Sequence, residues 1–182
     1  MLNALVVLKL KKIYLNNITM EYRNLYVFDL DGTLCDISHR LKYIKNSNGT
    51  RLAHPNWEKF FKECVNDEPL SGTIEILKSL QRCGKQVCIC SSRSDEVQAE
   101  TMEWLQLQGI DIIRLILVMR KDGDYRSDIT VKDEMLTSVL NRLNNEYEGV
   151  TWNPIIFEDR KQVVDMWRSK GFTCYQVAPG EF

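Results

Sequence analysis

Histidine is almost absent from this chain. Its 182 residues include only His39 and His54, and the six cysteines (Cys35, Cys64, Cys83, Cys88, Cys90 and Cys174) form no Cys-x-x-Cys pair. Zinc-ligand spacing is therefore excluded, and thiols so scattered fit a reducing, cytoplasmic compartment. No cysteine is followed by arginine six residues on, which removes thiol-based phosphate chemistry, and two histidines are too few for its imidazole counterpart. Long apolar runs are lacking as well. The stretch Leu2 to Leu8 is too short to span a bilayer, and its lysines follow rather than precede it, the reverse of a secretory signal. Neither sign of charge is in excess: 24 basic and 25 acidic residues give a net −1, so any preference for nucleic acid must be local. The phosphate-cradling loop Gly-x-x-x-x-Gly-Lys-[Ser/Thr] occurs nowhere.

What the chain does have is apolar content, 44%, enough for one domain with a full core and a small appendage. It is organised around Phe28-Asp29-Leu30-Asp31-Gly32-Thr33-Leu34. Leu25 to Phe28 form a short apolar run that reads as a buried parallel strand. Period-two alternation sends Asp29 and Asp31 to the same side of the backbone, so both are expected to meet one ligand, and Gly32 permits a turn. Asp-Gly is also an ordinary turn pair, which accounts for Asp31 and Gly32. It does not account for Asp29, a carboxylate directly after four apolar residues that must find a cation or a metal.

Further along, the core pattern lapses around the turn Asn46-Ser47-Asn48-Gly49, which marks a cap insertion over about 37–66. Within it Arg40, Lys42, Lys45, Arg51, Lys59 and Lys62 stand against Glu58, interleaved with Tyr43, Trp57, Phe60 and Phe61. Cations and stacking rings suit a nucleotide or a single strand, although the same aromatics equally suit packing of the cap onto the domain. Ser71 to Cys83 reads as a helix capped by Ser71, and Gln86 to Cys90 as a strand ending in Ser91-Ser92-Arg93 ahead of a helix that runs to Gly109. Hydroxyls beside a helix N-terminus make an anion site, and one of Ser91 and Ser92 also suits capping. Leu115 to Met119 is the third strand, followed by the charged loop Arg120 to Arg126. A helix from about Ile129 to Asn144 puts Val131, Met135, Val139 and Leu143 on one face, with Lys132 in its first turn, a place for a cation only if an anion sits there. Pro154 to Phe157 delivers Glu158-Asp159-Arg160, and a helix and the strand Thr173 to Val177 close the chain. The alternation specifies an α/β, Rossmann-like parallel five-stranded sheet with helices on both faces and ligands at the carboxyl ends of its strands. Residues 1–24 are expected to be an extension, with a natural start at Met20 or an extra edge strand as its two readings.

Asp29-Leu30-Asp31-Gly32-Thr33 after a strand resembles the first motif of the haloacid dehalogenase-like phosphotransferases. The resemblance implies that Asp29 is the nucleophile and Asp31 the general acid/base. It further implies that Ser91 binds the substrate phosphate, and that Lys132 neutralises this phosphate and orients the nucleophile. The acidic motif Glu158-Asp159 would complete a Mg²⁺ site with Asp29 and Asp31, Asp159 being the direct ligand. The chemistry is self-consistent, because an anionic nucleophile meeting a phosphate dianion requires Mg²⁺ and fixed cations. The tail narrows the match. Glu158-Asp159-Arg160, Val163 to Arg168, Gly171, Cys174, Gln176-Val177-Ala178 and Gly180-Glu181-Phe182, with Gly123 to Asp128 leading to Val131-Lys132, are similar to the 3′-phosphatase domain of phage polynucleotide kinase/phosphatases over about 25–182. Thr33, Arg40, Ser91, Ser92, Arg93 and Arg126 are then the expected substrate-binding residues, with Arg40 reaching over the site as a free guanidinium. The implied function is Mg²⁺-dependent removal of 3′-phosphate from DNA or RNA ends or 3′-nucleotides through an aspartyl-phosphate, without 5′ phosphorylation. Two departures stand out: Glu158 replaces one of the family's paired aspartates, and the 37–66 insert is longer. The alternatives are a nucleotidase or small-molecule acid phosphatase, and a non-catalytic module that holds nucleic-acid ends.

Overall fold

Alternation along one strand decides the architecture: Leu25 and Val27 face one way, Tyr26 and Phe28 the other, and each set finds its own layer of helices. The computed structural model describes residues 21–180. In chain order its elements are β1 (Glu21–Phe28), β2 (Cys35–Asp36), α1 (Trp57–Lys62), β3 (Glu68–Pro69), α2 (Ser71–Arg82), β4 (Gln86–Ser94), α3 (Gln98–Leu107), β5 (Leu115–Arg120), α4 (Asp128–Glu146), β6 (Val150–Arg160), α5 (Lys161–Ser169) and β7 (Thr173–Gly180). The main sheet has the order β5-β4-β1-β6-β7, every pairing parallel.

On one face Leu25, Val27, Cys88, Cys90 and Ile156 pack under α4 (Leu136, Val139, Leu143) and α5 (Val163, Val164, Trp167). On the other, Phe28, Val87 and Ile89 pack under α2 (Ile74, Leu77) and α3 (Trp104, Leu105), joined by Leu34 and, from the insertion, by Ile37, Ile44 and Phe60. Each large side chain so enclosed contributes about 1.5–3 kcal/mol. Across β1, β6 and β7 the partners Phe28, Phe157 and Tyr175 form a ring ladder, with centroids 4.4 and 5.5 Å apart.

Element order agrees with the sequence pattern, while several ends move. β1 starts at Glu21 and pairs with β6 from its first residue, so residues 21–24 belong to the sheet rather than to an extension. The remaining extension, residues 1–20, and the terminal Glu181-Phe182 lie outside the described residues. β6 begins four residues before Pro154, because Pro154 pairs with Leu25 on one side only; β7 joins from Ile155 onward, so the missing N–H breaks no ladder bond there. α2 starts without the expected Ser71 cap. Leu70 holds that position, and Thr73 Oγ1 instead donates to the carbonyls of Thr33 and Leu70.

The cap hangs on a two-stranded neck, β2 against β3, with Cys35 opposite Pro69 and Asp36 opposite Glu68. Its aromatics cluster, with Trp57 edge-on to Phe60 and stacked on Phe61. Phe60 is buried and Phe61 half-buried, whereas Trp57 stays exposed on the surface with the Arg51 guanidinium 5.3 Å from its ring. Among the described residues no helix is long and apolar enough to cross a membrane.

Candidate active site

The carboxyl-end tips of β1, β4 and β6 converge, and they carry two buried charge clusters of different kinds. In the first, Asp29 after β1 meets Glu158 and Asp159 at the tip of β6, with carboxylate oxygens within 4.8 Å of one another. Lys132 reaches in from α4. Its Nζ lies 2.8 Å from Asp29 Oδ1, an ion pair without a directed hydrogen bond, and donates to Glu158 Oε2 at 2.6 Å. Three acids thus face one cation in a dry environment. Burial first, then Glu158, pushes the Asp29 carboxyl up to about 7 against the pull of Lys132. Burial, then Asp29 and Glu158, pushes Asp159 up to about 9. Lys132 is held well above its ordinary value, because the two acids outweigh its own desolvation.

The second cluster is closed. Arg40 donates Nη2 to Asp31 Oδ1 (2.7 Å), Nε to Asp67 Oδ1 (2.7 Å) and Nη2 to Asp67 Oδ2 (2.8 Å). Arg93 donates to Asp31 Oδ1 through Nε (3.2 Å) and Nη2, and to Asp67 Oδ2 at 2.8 Å. Two carboxylates balance two guanidiniums. Burial alone would raise Asp31; Arg40 and Arg93 outweigh it and hold the carboxyl well below the usual range. Although Asp31, Cys35 and Asp67 lie close enough to share an ion, two cations already occupy that role.

Several expectations change accordingly. Asp29 and Asp31 do not join one acidic cluster, because β1 and its alternation end at Phe28 and the chain turns at once, Leu34 N donating to Leu30 O at 2.8 Å. The Asp31 side chain therefore leaves the expected metal set. Arg40 is no free cation over the site: it is wholly buried, paired twice and set 4.3 Å over the Phe60 ring. Arg126 is half-exposed and committed to Asp124 and Glu134. Arg93 serves Asp31 and Asp67, with Nη1 on Thr101 Oγ1 at 3.1 Å.

The hydroxyls behave otherwise. Ser91 Oγ accepts from Arg93 N at 3.2 Å, while Thr33 Oγ1 and Ser92 Oγ are buried without a partner among the described residues. Both oxygens of Asp159 share that condition, whereas Glu158 accepts from Lys132 and from Arg160 N (3.2 Å). An unpaired buried carboxylate costs several kcal/mol unless a cation or a proton compensates it. Asp29 and Asp159 thus fit a divalent, oxygen-loving ion, with Glu158 spent on Lys132.

Three contributors were not among the expected site residues. Asp67, at the end of the cap, closes the Arg40–Arg93 network and fixes the cap to the strand tips; its carbonyl also accepts from Trp104 Nε1 at 2.8 Å. The signal for it was indirect, since a buried arginine such as Arg93 demands an acid from somewhere. Gly180 is required by contact: a Cβ there would stand 2.1 Å from Asp159 Oδ2 and 2.8 Å from its backbone carbonyl carbon. Asp128, the first residue of α4, binds both Arg120 and Arg160 at the rim.

The phosphatase domain of polynucleotide kinase PNKP, as a family, matches residues 23–182. The chain belongs to this family. Its fold is haloacid dehalogenase-like and its class that of a phosphomonoester hydrolase. Among solved structures it is similar to the Pnkp1/Rnl/Hen1 complex (28% identity, TM-score 0.64, 88% of this chain and 47% of that one). It is also similar to the Pnkp1/Rnl/Hen1 RNA repair complex (28%, 0.65, 88% and 44%). The chain therefore spans about half the length of these matches. A predicted phosphatase from Clostridium acetobutylicum shares the fold over nearly its whole length (17%, 0.59, 88% and 87%).

Proposed function

We propose that this PNKP-type phosphatase domain removes 3′-phosphate from nucleic-acid ends or 3′-nucleotides with the help of Mg²⁺, through an aspartyl-phosphate on Asp29. The observation that carries the reading is the contrast between the clusters: Asp29, Glu158 and Asp159 outnumber Lys132, while Asp31 is fixed beside them in a balanced network. A negative excess in a buried site is sustained only by protons or by a cation. Asp29 and Asp159 would hold the Mg²⁺, which supplies compensation of charge between the carboxylate nucleophile and the phosphate dianion.

In this mechanism an Asp29 oxygen attacks phosphorus, the bond from phosphorus to the 3′ oxygen breaks, and Asp31, which Arg40 and Arg93 hold anionic, passes to the departing oxygen a proton that it must first take up from solvent as the substrate binds. Asp31 then takes a proton from the water that attacks the aspartyl-phosphate, which frees Asp29 and releases phosphate. Its pairing with Arg40 and Arg93 favours the anionic form this second half needs. Lys132 holds Asp29 in place and offsets negative charge on the phosphoryl oxygens, and Ser91, Ser92 and Thr33 offer hydroxyls to them.

Support for a nucleic-acid substrate comes from the family, from the RNA repair complex in which the similar Pnkp1 is found, and from the cap surface. There Lys42, Arg51 and Lys59 are exposed beside Tyr43 and Trp57. The test is phosphate release from a 3′-phosphorylated oligonucleotide, a 3′-mononucleotide and a 5′-mononucleotide side by side, with Mg²⁺ and with excess chelator. We expect the 3′ substrates to be preferred and chelator to abolish turnover. Preference for the 5′-mononucleotide would make the domain a nucleotidase, and full activity in chelator would separate the acidic cluster from any metal.

A further inference from the structure

Large apolar side chains at least three-quarters exposed occur at four described positions: Tyr22, Leu107, Ile113 and Tyr125. Tyr22 at the start of β1, Leu107 at the end of α3 and Ile113 just before β5 all belong to the amino end of the parallel sheet. Tyr125 does not. It sits in the loop between β5 and α4, at the carboxyl end, where the strand tips with Asp29, Ser91 and Glu158 converge. The residue is 92% exposed, and its ring makes neither a hydrogen bond nor a ring contact among the described residues.

The loop that displays this ring is held from every side. Arg120 Nη1 donates to the carbonyls of Asp124 and Arg126, the residues flanking Tyr125, each at 2.8 Å. The same guanidinium donates Nε to Ser92 O at 3.0 Å and pairs with Asp128, which ties the loop to the phosphate-binding tip of β4 and to the start of α4. Arg126 forks onto Asp124 and onto Glu134 of α4 (2.8 Å each). Lys121 Nζ and Asp122 N both bond Asp95 at 2.8 Å. An exposed aromatic on a loosely held loop would be ordinary surface. On a clamped loop, the ring is presented in one place and loses little freedom when something stacks on it.

We propose that Tyr125 is a stacking platform for a nucleobase of the substrate strand. This rests on the nucleic-acid reading above and deepens it. The phosphate machinery is common to all esters, whereas a ring face is offered only to a substrate that carries a flat π-system beyond its phosphate. Stacking of this sort tolerates every base, so it selects nucleic acid without selecting sequence.

The experiment compares kcat/KM of the wild-type chain, Tyr125→Ala and Tyr125→Phe on three substrates: a 3′-phosphorylated oligonucleotide, the same strand with a tetrahydrofuran abasic residue at each of its last three positions in turn, and p-nitrophenyl phosphate. Tyr125→Ala should lose about tenfold on the intact strand, Tyr125→Phe should stay near wild type, and p-nitrophenyl phosphate should be hydrolysed alike by all three. At one abasic position the difference between wild type and Tyr125→Ala should vanish, which a merely structural role would not produce. Equal rates for wild type and Tyr125→Ala on the intact strand would overturn the proposal, as would a loss shared by p-nitrophenyl phosphate. A wild-type chain that hydrolyses p-nitrophenyl phosphate but no 3′-phosphorylated strand would instead remove the nucleic-acid reading, and this inference with it.

Discussion

Two arginines separate what a residue does from what its type suggests. Arg40 follows the nucleophile by eleven residues and looks free to reach a substrate, yet its guanidinium is spent on Asp31 and Asp67. Replacing it therefore acts on the fold of the site, not on substrate choice. Arg40→Ala should lower turnover of an oligonucleotide 3′-phosphate and of p-nitrophenyl phosphate by the same factor. It should also cost about 3–5 kcal/mol in denaturant unfolding, the usual penalty for orphaning a buried ion pair. Arg40→Lys should not rescue, because one ammonium cannot span two carboxylates as the fork does. A selective loss on the oligonucleotide would show the guanidinium meeting substrate after all. Asp29→Asn is a different experiment. It removes the nucleophile and relieves the cluster's excess charge at once, so turnover should vanish while the melting temperature holds or rises; measurable turnover would exclude attack by Asp29.

At the level of elements, the order of strands and helices was legible because short unbroken apolar runs alternate with segments of 3.6-residue period, which also marks the residues at the strand tips. The ends were less so. Val150 to Asn153 precede Pro154, and a proline in a central strand reads as a stop unless the neighbouring strand is known to begin one residue later. The places of Asp29, Ser91 and Asp159 at strand tips were legible because each is a polar residue where an apolar run ends, and that of Lys132 because a cation is out of place in the first turn of a helix. Asp67 and the closed network were not, since they join segments 27 and 26 residues apart in the chain through the cap. β7 offers a test of how one element shapes the site. Its last residue, Gly180, lies against Asp159, so Gly180→Ala must push that carboxylate or the β6 backbone aside. Far-UV circular dichroism should be unchanged while the Mg²⁺ concentration for half-maximal activity rises severalfold; an unaltered Mg²⁺ requirement would show that Asp159 tolerates the shift.

For the molecule as a whole, the net charge of −1 hides an uneven distribution, and the buried acids make its stability depend on pH. Asp29 and Asp159 ionise near the ordinary 3.8 in the unfolded chain, but at about 7 and about 9 in the fold. Between those values the native state keeps protons that the unfolded state has released, so each unit of pH lowers stability. The loss contributed by Asp29 is complete just above about pH 7, and that from Asp159 continues to about pH 9. Asp31 has the opposite sign, with stability lost only as acid is added below the ordinary carboxylate range. Metal-free protein should therefore melt at a steadily lower temperature from about pH 6 to about pH 9. A cation that takes the place of those protons should flatten the curve: saturating Mg²⁺ should raise the melting temperature more at the alkaline end than at the acid end, and its binding near neutrality should release protons. Thermal melts across that range, with chelator and with Mg²⁺, and calorimetry in two buffers of different ionisation enthalpy measure both effects. A Mg²⁺ stabilisation that is the same at every pH, with no proton release, would mean the ion binds away from Asp29 and Asp159.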